Sequence, residues 1–120
     1  MDQVSDDIFC KIIRGELGHS EDKTVARDEN FLVIHDINPQ APVHVLIIPV
    51  RHYASLSDFK EADVGILGKA LIMADKVANK LGLEKGYRLI INKGEDGGQA
   101  VPHLHIHLLG GKVLGPKLVK

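Results

Sequence analysis

The chain predicts an α+β fold: one five-stranded antiparallel sheet with a short helix and a long one. Three observations predict it. Five runs of apolar or alternating residues have the length of strands, and most connections between them are shorter than the dozen or more residues a parallel crossover needs. A stretch near residues 58–82 repeats its apolar residues at three- and four-residue intervals, which is helical. With 120 residues, 44% of them hydrophobic, the chain fits a single domain over residues 1–120 with one core.

In order, Ser5 or Asp6 caps a short helix from about Asp7 to Arg14, with Ile8, Phe9 and Ile12 on its apolar side and Gly15 as its stop. Gly18–Asp22 is polar and loops. Thr24–Ala26 and Phe31–Asp36 read as strands around the turn residues Asp28, Glu29 and Asn30. After the Pro39–Pro42 turn, Val43–Val50 is nearly all apolar and so reads as a central strand covered on both faces. Asp58 with Glu61 marks the start of the long helix, and Gly82 its end. Val64, Leu67, Leu71, Ala74, Ala78 and Leu81 form the stripe expected to face the sheet. A second stripe, Ile66, Ala70, Met73 and Val77, is more apolar surface than one small sheet needs, and reads as a homodimer contact. Tyr87–Asn92 and His103–Leu109 complete the five strands.

Composition excludes several classes. Fifteen basic against sixteen acidic residues leave no electrostatic footprint for a nucleic-acid backbone, so any nucleotide bound here is small. A single cysteine makes no internal disulfide. No apolar stretch approaches the roughly 20 residues of a membrane span, and no charged-then-apolar leader opens the chain, so a cytoplasmic protein is the expectation.

The chemistry points to residues 103–107, His-Leu-His-Ile-His, which hold three of the seven histidines. On a strand His103, His105 and His107 share one face while Leu104, Ile106 and Leu108 fill the other. Imidazole attacks electrophiles and moves protons near neutral pH, its unperturbed pKa being about 6.5. Zinc is the sharper rival reading, but same-face neighbours stand about 6.6 Å apart, so a third ligand would have to come from elsewhere. Cys10 lies in a helical segment, and there is no paired-cysteine or His-Glu-x-x-His motif, so neither a metal nor another cofactor is expected. Just before the triad, Lys93–Gln99 carries three glycines in five positions, which permits close approach of backbone N–H groups to anionic oxygens. A phosphate cradle beside nucleophilic imidazoles is what phosphorus chemistry requires.

His103–Leu109 is the His-φ-His-φ-His-φ-φ signature, φ being apolar, and with it the chain resembles the histidine-triad family. Gly97-Gly98-Gln99, the exit Gly110-Gly111, the early Asp7–Ile13 and the segment His35–His44 are similar to its Hint branch, the nucleoside phosphoramidases, over about Asp7 to Gly111. The resemblance implies a homodimer with joined sheets. It also implies an enzyme that cleaves the P–N bond of purine nucleoside 5′-phosphoramidates to give an amine and AMP or GMP. By match to the motif, His105 is the nucleophile, His103 orients it through its backbone carbonyl, and His107 and His44 contact the phosphate. Asp36 matches the acid that holds the ribose hydroxyls. Ile8, Phe9, Ile12, Ile34, Ile37 and Leu46 match the apolar purine slot, with core packing as the plain alternative for Ile12 and Leu46. Asn92, Gly98, Gln99, Ala100 and Val101 match the phosphate side. His35 and His52 read as structural or surface groups, and His19 as solvated.

Two departures bear on function. Ala100 stands where the branch commonly has serine, which removes a hydroxyl from the phosphate side, and the tail Lys112–Lys120 carries no tryptophan. Two other readings follow: a nucleotide-binding regulatory protein with weak catalysis, and a dinucleoside polyphosphate hydrolase. Against the latter stands Pro102, where that branch usually has glutamine.

Overall fold

The strands pair as their connection lengths require, in the order β1-β2-β3-β5-β4, every neighbouring pair antiparallel. The computed structural model describes residues 7–15 and 23–116. Ser5, Asp6, the Gly18–Asp22 stretch with its His19, and the last four residues of the tail lie outside them. The elements are α1 (Ile8–Ile13), β1 (Thr24–Arg27), β2 (Phe31–His35), β3 (Val43–Pro49), α2 (Val64–Lys80), β4 (Tyr87–Ile91) and β5 (Ile106–Gly110). α2 carries the chain from β3 to the edge strand β4, and β5 then returns into the gap between them.

Each face of the sheet has its own core. On one, Phe31, Val33, Val45, Ile47, Leu104, Ile106 and Leu108 pack with Ala70, Ala74, Val77 and Ala78 of α2. On the other, Leu32, Ile34, Leu46 and Ile48 pack with Phe9 of α1. β3 alternates between these two cores, and this is why its sequence is almost continuously apolar. The side chain of Asp28 accepts hydrogen bonds from the Asn30 and Phe31 N–H groups at 2.7 and 2.8 Å and closes the β1–β2 hairpin.

The structure corrects four expectations. α1 is capped by Asp7 itself, whose carboxylate accepts from the Cys10 N–H at 2.8 Å. α2 begins at Val64 rather than near Asp58, because Asp58 is occupied with the Ala54 N–H at 2.8 Å and residues 56–63 form two short 3₁₀ turns. Its end is as expected, with Gly82 at a φ of 79°.

The third correction concerns the faces of α2. Ile66, Ala70, Met73 and Val77, expected at a partner, pack into the chain's own core, whereas Val64 and Leu71 of the supposed core stripe are 64% and 43% exposed. Alanines at 70, 74 and 78 explain it, since small side chains let the helix lie close on the sheet. The rotation is about one residue around the helix.

Finally, β5 begins at Ile106, not His103. Pro49 and Pro102 have no N–H to give a ladder. The backbone therefore departs: His103 N–H bonds the Val101 carbonyl at 2.8 Å, and Leu104 N–H reaches the Tyr53 carbonyl.

Candidate active site

Alternation outlasts the strand. Leu104, Ile106 and Leu108 are buried on the α2 side, while His103 and His105 turn to the opposite side and meet the ring of Phe9, with centroid separations of 5.9 and 4.8 Å. His105 and His107 follow at 5.0 Å, and His107 and His44 at 5.2 Å. His44 arrives from β3, where it pairs across the sheet with Leu109.

Hydrogen-bond partners fix which ring nitrogen carries each proton. His105 Nδ1 lies 2.7 Å from the carbonyl of His103, an acceptor, so Nδ1 holds the hydrogen and Nε2 keeps its lone pair. Gln40 N–H donates to His44 Nδ1 at 3.0 Å, which leaves the hydrogen of His44 on Nε2. From there it is donated to His107 Nδ1 at 3.0 Å, with Asp36 Oδ2 nearby at 3.4 Å. The hydrogen of neutral His107 therefore sits on Nε2. One row thus presents a nucleophilic nitrogen at position 105 and a donor at position 107.

The electrostatics agree with neutral rings. Burial holds His107 down at about 4, helped by its neighbours His105 and His44, against the opposing pull of Asp36. His44 is lowered by burial, with Asp36 again opposing. His103, fully enclosed, is lowered by burial against the Pro49 carbonyl and Asp7.

His103 also belongs to a second cluster. Its Nδ1 lies 3.3 Å from Cys10 Sγ, 3.3 Å from His52 Nδ1 and 3.3 Å from Asp7 Oδ1. Sequence reasoning missed Asp7, Cys10 and His52 as a set. The signal available was the three-residue spacing of Asp7 and Cys10, which puts both on one side of the first turn of α1. The spacing of the triad calls for a further ligand from elsewhere and Cys10 is visible in the helical segment, but its approach to His52 and His103 depends on tertiary packing.

The nucleotide-side candidates divide. Phe9, Ile34 and Leu46 share one apolar cluster with Ile12 against its edge, but Ile8 and Ile37 stand outside it, 47% and 82% exposed. Asp36 is half-buried and accepts from the Asn38 N–H at 2.8 Å. Asn92 is half-buried one residue beyond β4.

In the glycine loop, the N–H groups of Gly98 and Gln99 turn inward to the carbonyls of Glu95 and Gly94, both at 3.0 Å. The Gln99 side chain clamps the loop, donating to the Ala54 and Val101 carbonyls and accepting from the Gly94 N–H. A side chain at Gly97 would collide with the Lys93 carbonyl, and Gly98 has a φ of 77°. Of the four phosphate-side residues Gly98 to Val101, Gly98 and Gln99 thus have their N–H groups engaged within the loop, while those of Ala100 and Val101 have no partner among the described residues.

An antiparallel sheet with a histidine row at the start of β5, set against the Phe9 ring of an apolar wall, defines a protein built around an imidazole cluster. The chain belongs to the HIT family, whose HIT domain matches residues 18–114. An uncharacterized HIT-like protein of Chlamydia muridarum is 50% identical over 108 residues, covering 90% of this chain and 83% of its own. The structure of a HIT family hydrolase from Clostridium thermocellum superposes with a TM-score of 0.89 at 49% identity, over 97% of this chain and 99% of that one. A histidine triad nucleotide-binding protein from Candida albicans gives 0.76 at 31% identity, over 96% and 86%.

Proposed function

We propose that the chain hydrolyses purine nucleoside 5′-phosphoramidates through a nucleotidyl-histidine intermediate. The observation that carries this reading is the 2.7 Å contact from His105 Nδ1 to the His103 carbonyl, which keeps Nε2 free of a proton and ready to attack. Attack of Nε2 on the α-phosphorus forms one P–N bond as the bond to the amine breaks. The departing amine takes a proton from an imidazole of the same row. Water then displaces His105 and releases AMP or GMP.

The remaining residues have matching parts. Phe9, Ile34 and Leu46 wall the base, with Ile12 behind them and Ile8 and Ile37 at the rim. Asp36 accepts from the ribose hydroxyls, a carboxylate having lone pairs to spare beside its bond to Asn38. Ala100 and Val101 offer N–H groups to the phosphate oxygens, and Asn92, Gly98 and Gln99 shape that loop. The hydrolase and nucleotide-binding relatives support both halves of the reading.

The test is His105→Ala with an amine-linked AMP as substrate. Turnover falls by about 10³-fold or more, while AMP affinity measured by calorimetry changes only a few-fold. Full activity in that variant overturns the mechanism. Ala100 favours a second reading, a nucleotide-binding regulatory protein with weak catalysis. A wild-type single-turnover assay that yields no labelled nucleotidyl-protein supports it instead, and preference for a dinucleoside polyphosphate moves the chain to that class of hydrolase.

A homodimer belongs to this proposal, on a different surface from the one the sequence suggested. β4 is an edge strand, and Tyr87 on it bonds Asp75 of α2 at 2.6 Å, one turn from exposed Leu71. Leu71→Glu should convert a dimer into a monomer by light scattering.

A further inference from the structure

We infer that Asp7, Cys10, His52 and His103 form a closed tetrahedral site for a divalent cation of the zinc class. This stands on geometry independent of the phosphoramidase reading. Asp7 Oδ2 lies 3.1 Å from His52 Nδ1 and 3.5 Å from Cys10 Sγ, its other oxygen Oδ1 lies 3.3 Å from His103 Nδ1, Cys10 Sγ lies 3.4 Å from His52 Nδ1 and 3.3 Å from His103 Nδ1, and the two imidazole nitrogens are 3.3 Å apart, so that one ligand atom from each residue falls within 4.8 Å of the others. A regular tetrahedron around zinc, with bonds of about 2.0–2.3 Å, has edges of about 3.3–3.8 Å. Cys10 Sγ, His52 Nδ1 and His103 Nδ1 form a nearly equilateral triangle that the Asp7 carboxylate closes, as ligands around one shared central atom do. Hydrogen bonds, which join atoms in pairs, impose no such equality.

The tautomer of His103 points the same way. Its Nε2 lies 2.9 Å from the Pro49 carbonyl and so carries the hydrogen, which leaves the Nδ1 lone pair directed at the other three ligands. A ligand imidazole held by a backbone carbonyl through its other nitrogen is the usual support for a metal-binding histidine. Charge balances as well: one carboxylate and one thiolate offset a dication, and two neutral imidazoles complete the shell. The side chains of Asp7 and His103 are 4% and 0% exposed and that of His52 19%, so the four positions form an enclosed cage with a structural rather than catalytic character. One thiolate, two imidazoles and one carboxylate make a set of intermediate softness, which suits zinc and excludes calcium or magnesium.

The cage joins α1 to the residue whose carbonyl holds the His105 tautomer, so its metal positions both the apolar wall and the nucleophile. Protein dialysed against excess zinc and then buffer should retain one zinc per chain. Cobalt(II) in its place should give the intense visible bands of a tetrahedral site and a thiolate charge-transfer band. Cys10→Ser should remove the charge-transfer band, and Cys10→Ser and His52→Gln should each weaken zinc by more than the roughly 10- to 100-fold that loss of an outer partner costs. His107→Ala should keep the full equivalent. If either cage variant fails to fold, the wild type decides: its melting temperature must rise with zinc and fall with a chelator. Stoichiometry well below one, octahedral cobalt spectra, or zinc that survives Cys10→Ser and is lost in Asp36→Asn would overturn the assignment.

Discussion

His103 and His107 lie four residues apart on the same side of the chain, yet their surroundings differ in kind. His103 is enclosed, with both nitrogens engaged by fixed partners: the Pro49 carbonyl on one side and the Asp7, Cys10 and His52 cluster on the other. His107 is half-buried, with one nitrogen held by His44 and the other turned from it. His105 lies between and donates its Nδ1 hydrogen to the backbone carbonyl at the enclosed end. Identical side chains are thus divided by what meets them: α1 reaches the first, whereas the last is flanked by its strand neighbours on β3 and β4. The row is an enclosed scaffold at one end and, on the proposed function, the site of the chemistry toward the other.

Exchanging substitutions between the two ends tests this division most severely. His103→Ala should lower stability by about 3 kcal/mol, since it leaves a cavity and strands the Pro49 carbonyl. His107→Ala should barely move the urea midpoint but reduce kcat by about 10²-fold. If both variants lose stability equally, the division fails. His44→Ala belongs with the open end, because it removes the group that sets the His107 tautomer. Its loss should appear in kcat with KM little changed.

How much of this was legible in the sequence depends on whether the cause was local. Strand periodicity and the Gly82 stop arise from neighbours along the chain, so the antiparallel sheet and the long helix could be read directly. The face of α2 could not, because Val64 and Leu71 are as apolar as Ile66 and Met73 and only the fit of Ala70, Ala74 and Ala78 to the sheet decides between them. The triad was plain from spacing. The association of Asp7, Cys10, His52 and His103 was not, since it joins three segments through tertiary packing. The Gln99 clamp was hidden for the same reason: its partner carbonyl, Ala54, is 45 residues away.

Acid should act on the open end. The His107 value of about 4 lies below the ordinary 6.5, so the unfolded chain binds a proton that the folded one excludes. Its contribution to stability is complete above pH 6.5 and is lost as the pH falls toward 4. His44, lowered in the same direction, adds to the decline. Urea midpoints for the wild type should fall between pH 7 and pH 4.5, and His107→Asn should flatten that slope. An unchanged slope would mean that His107 is already solvated.

The smallest effect concerns the phosphate side of the open end. Ala100 is exposed and its N–H has no partner among the described residues, so the backbone donor for a phosphate oxygen is present while the side-chain hydroxyl is not. One neutral hydrogen bond contributes about 0.5–1.5 kcal/mol, which corresponds to about 2- to 13-fold. Ala100→Ser should raise kcat/KM for an amine-linked AMP within that range. Because residue 100 is in the loop before the enclosed histidine, the melting temperature should stay the same. A gain in kcat alone would mean that the added hydroxyl bonds only in the transition state; a gain matched by an equal fall in KM would mean that it bonds the bound substrate as strongly. Ala100→Gly, which keeps the N–H and adds no hydroxyl, should show neither gain, and an increase there would trace the effect to loop flexibility rather than to the hydroxyl.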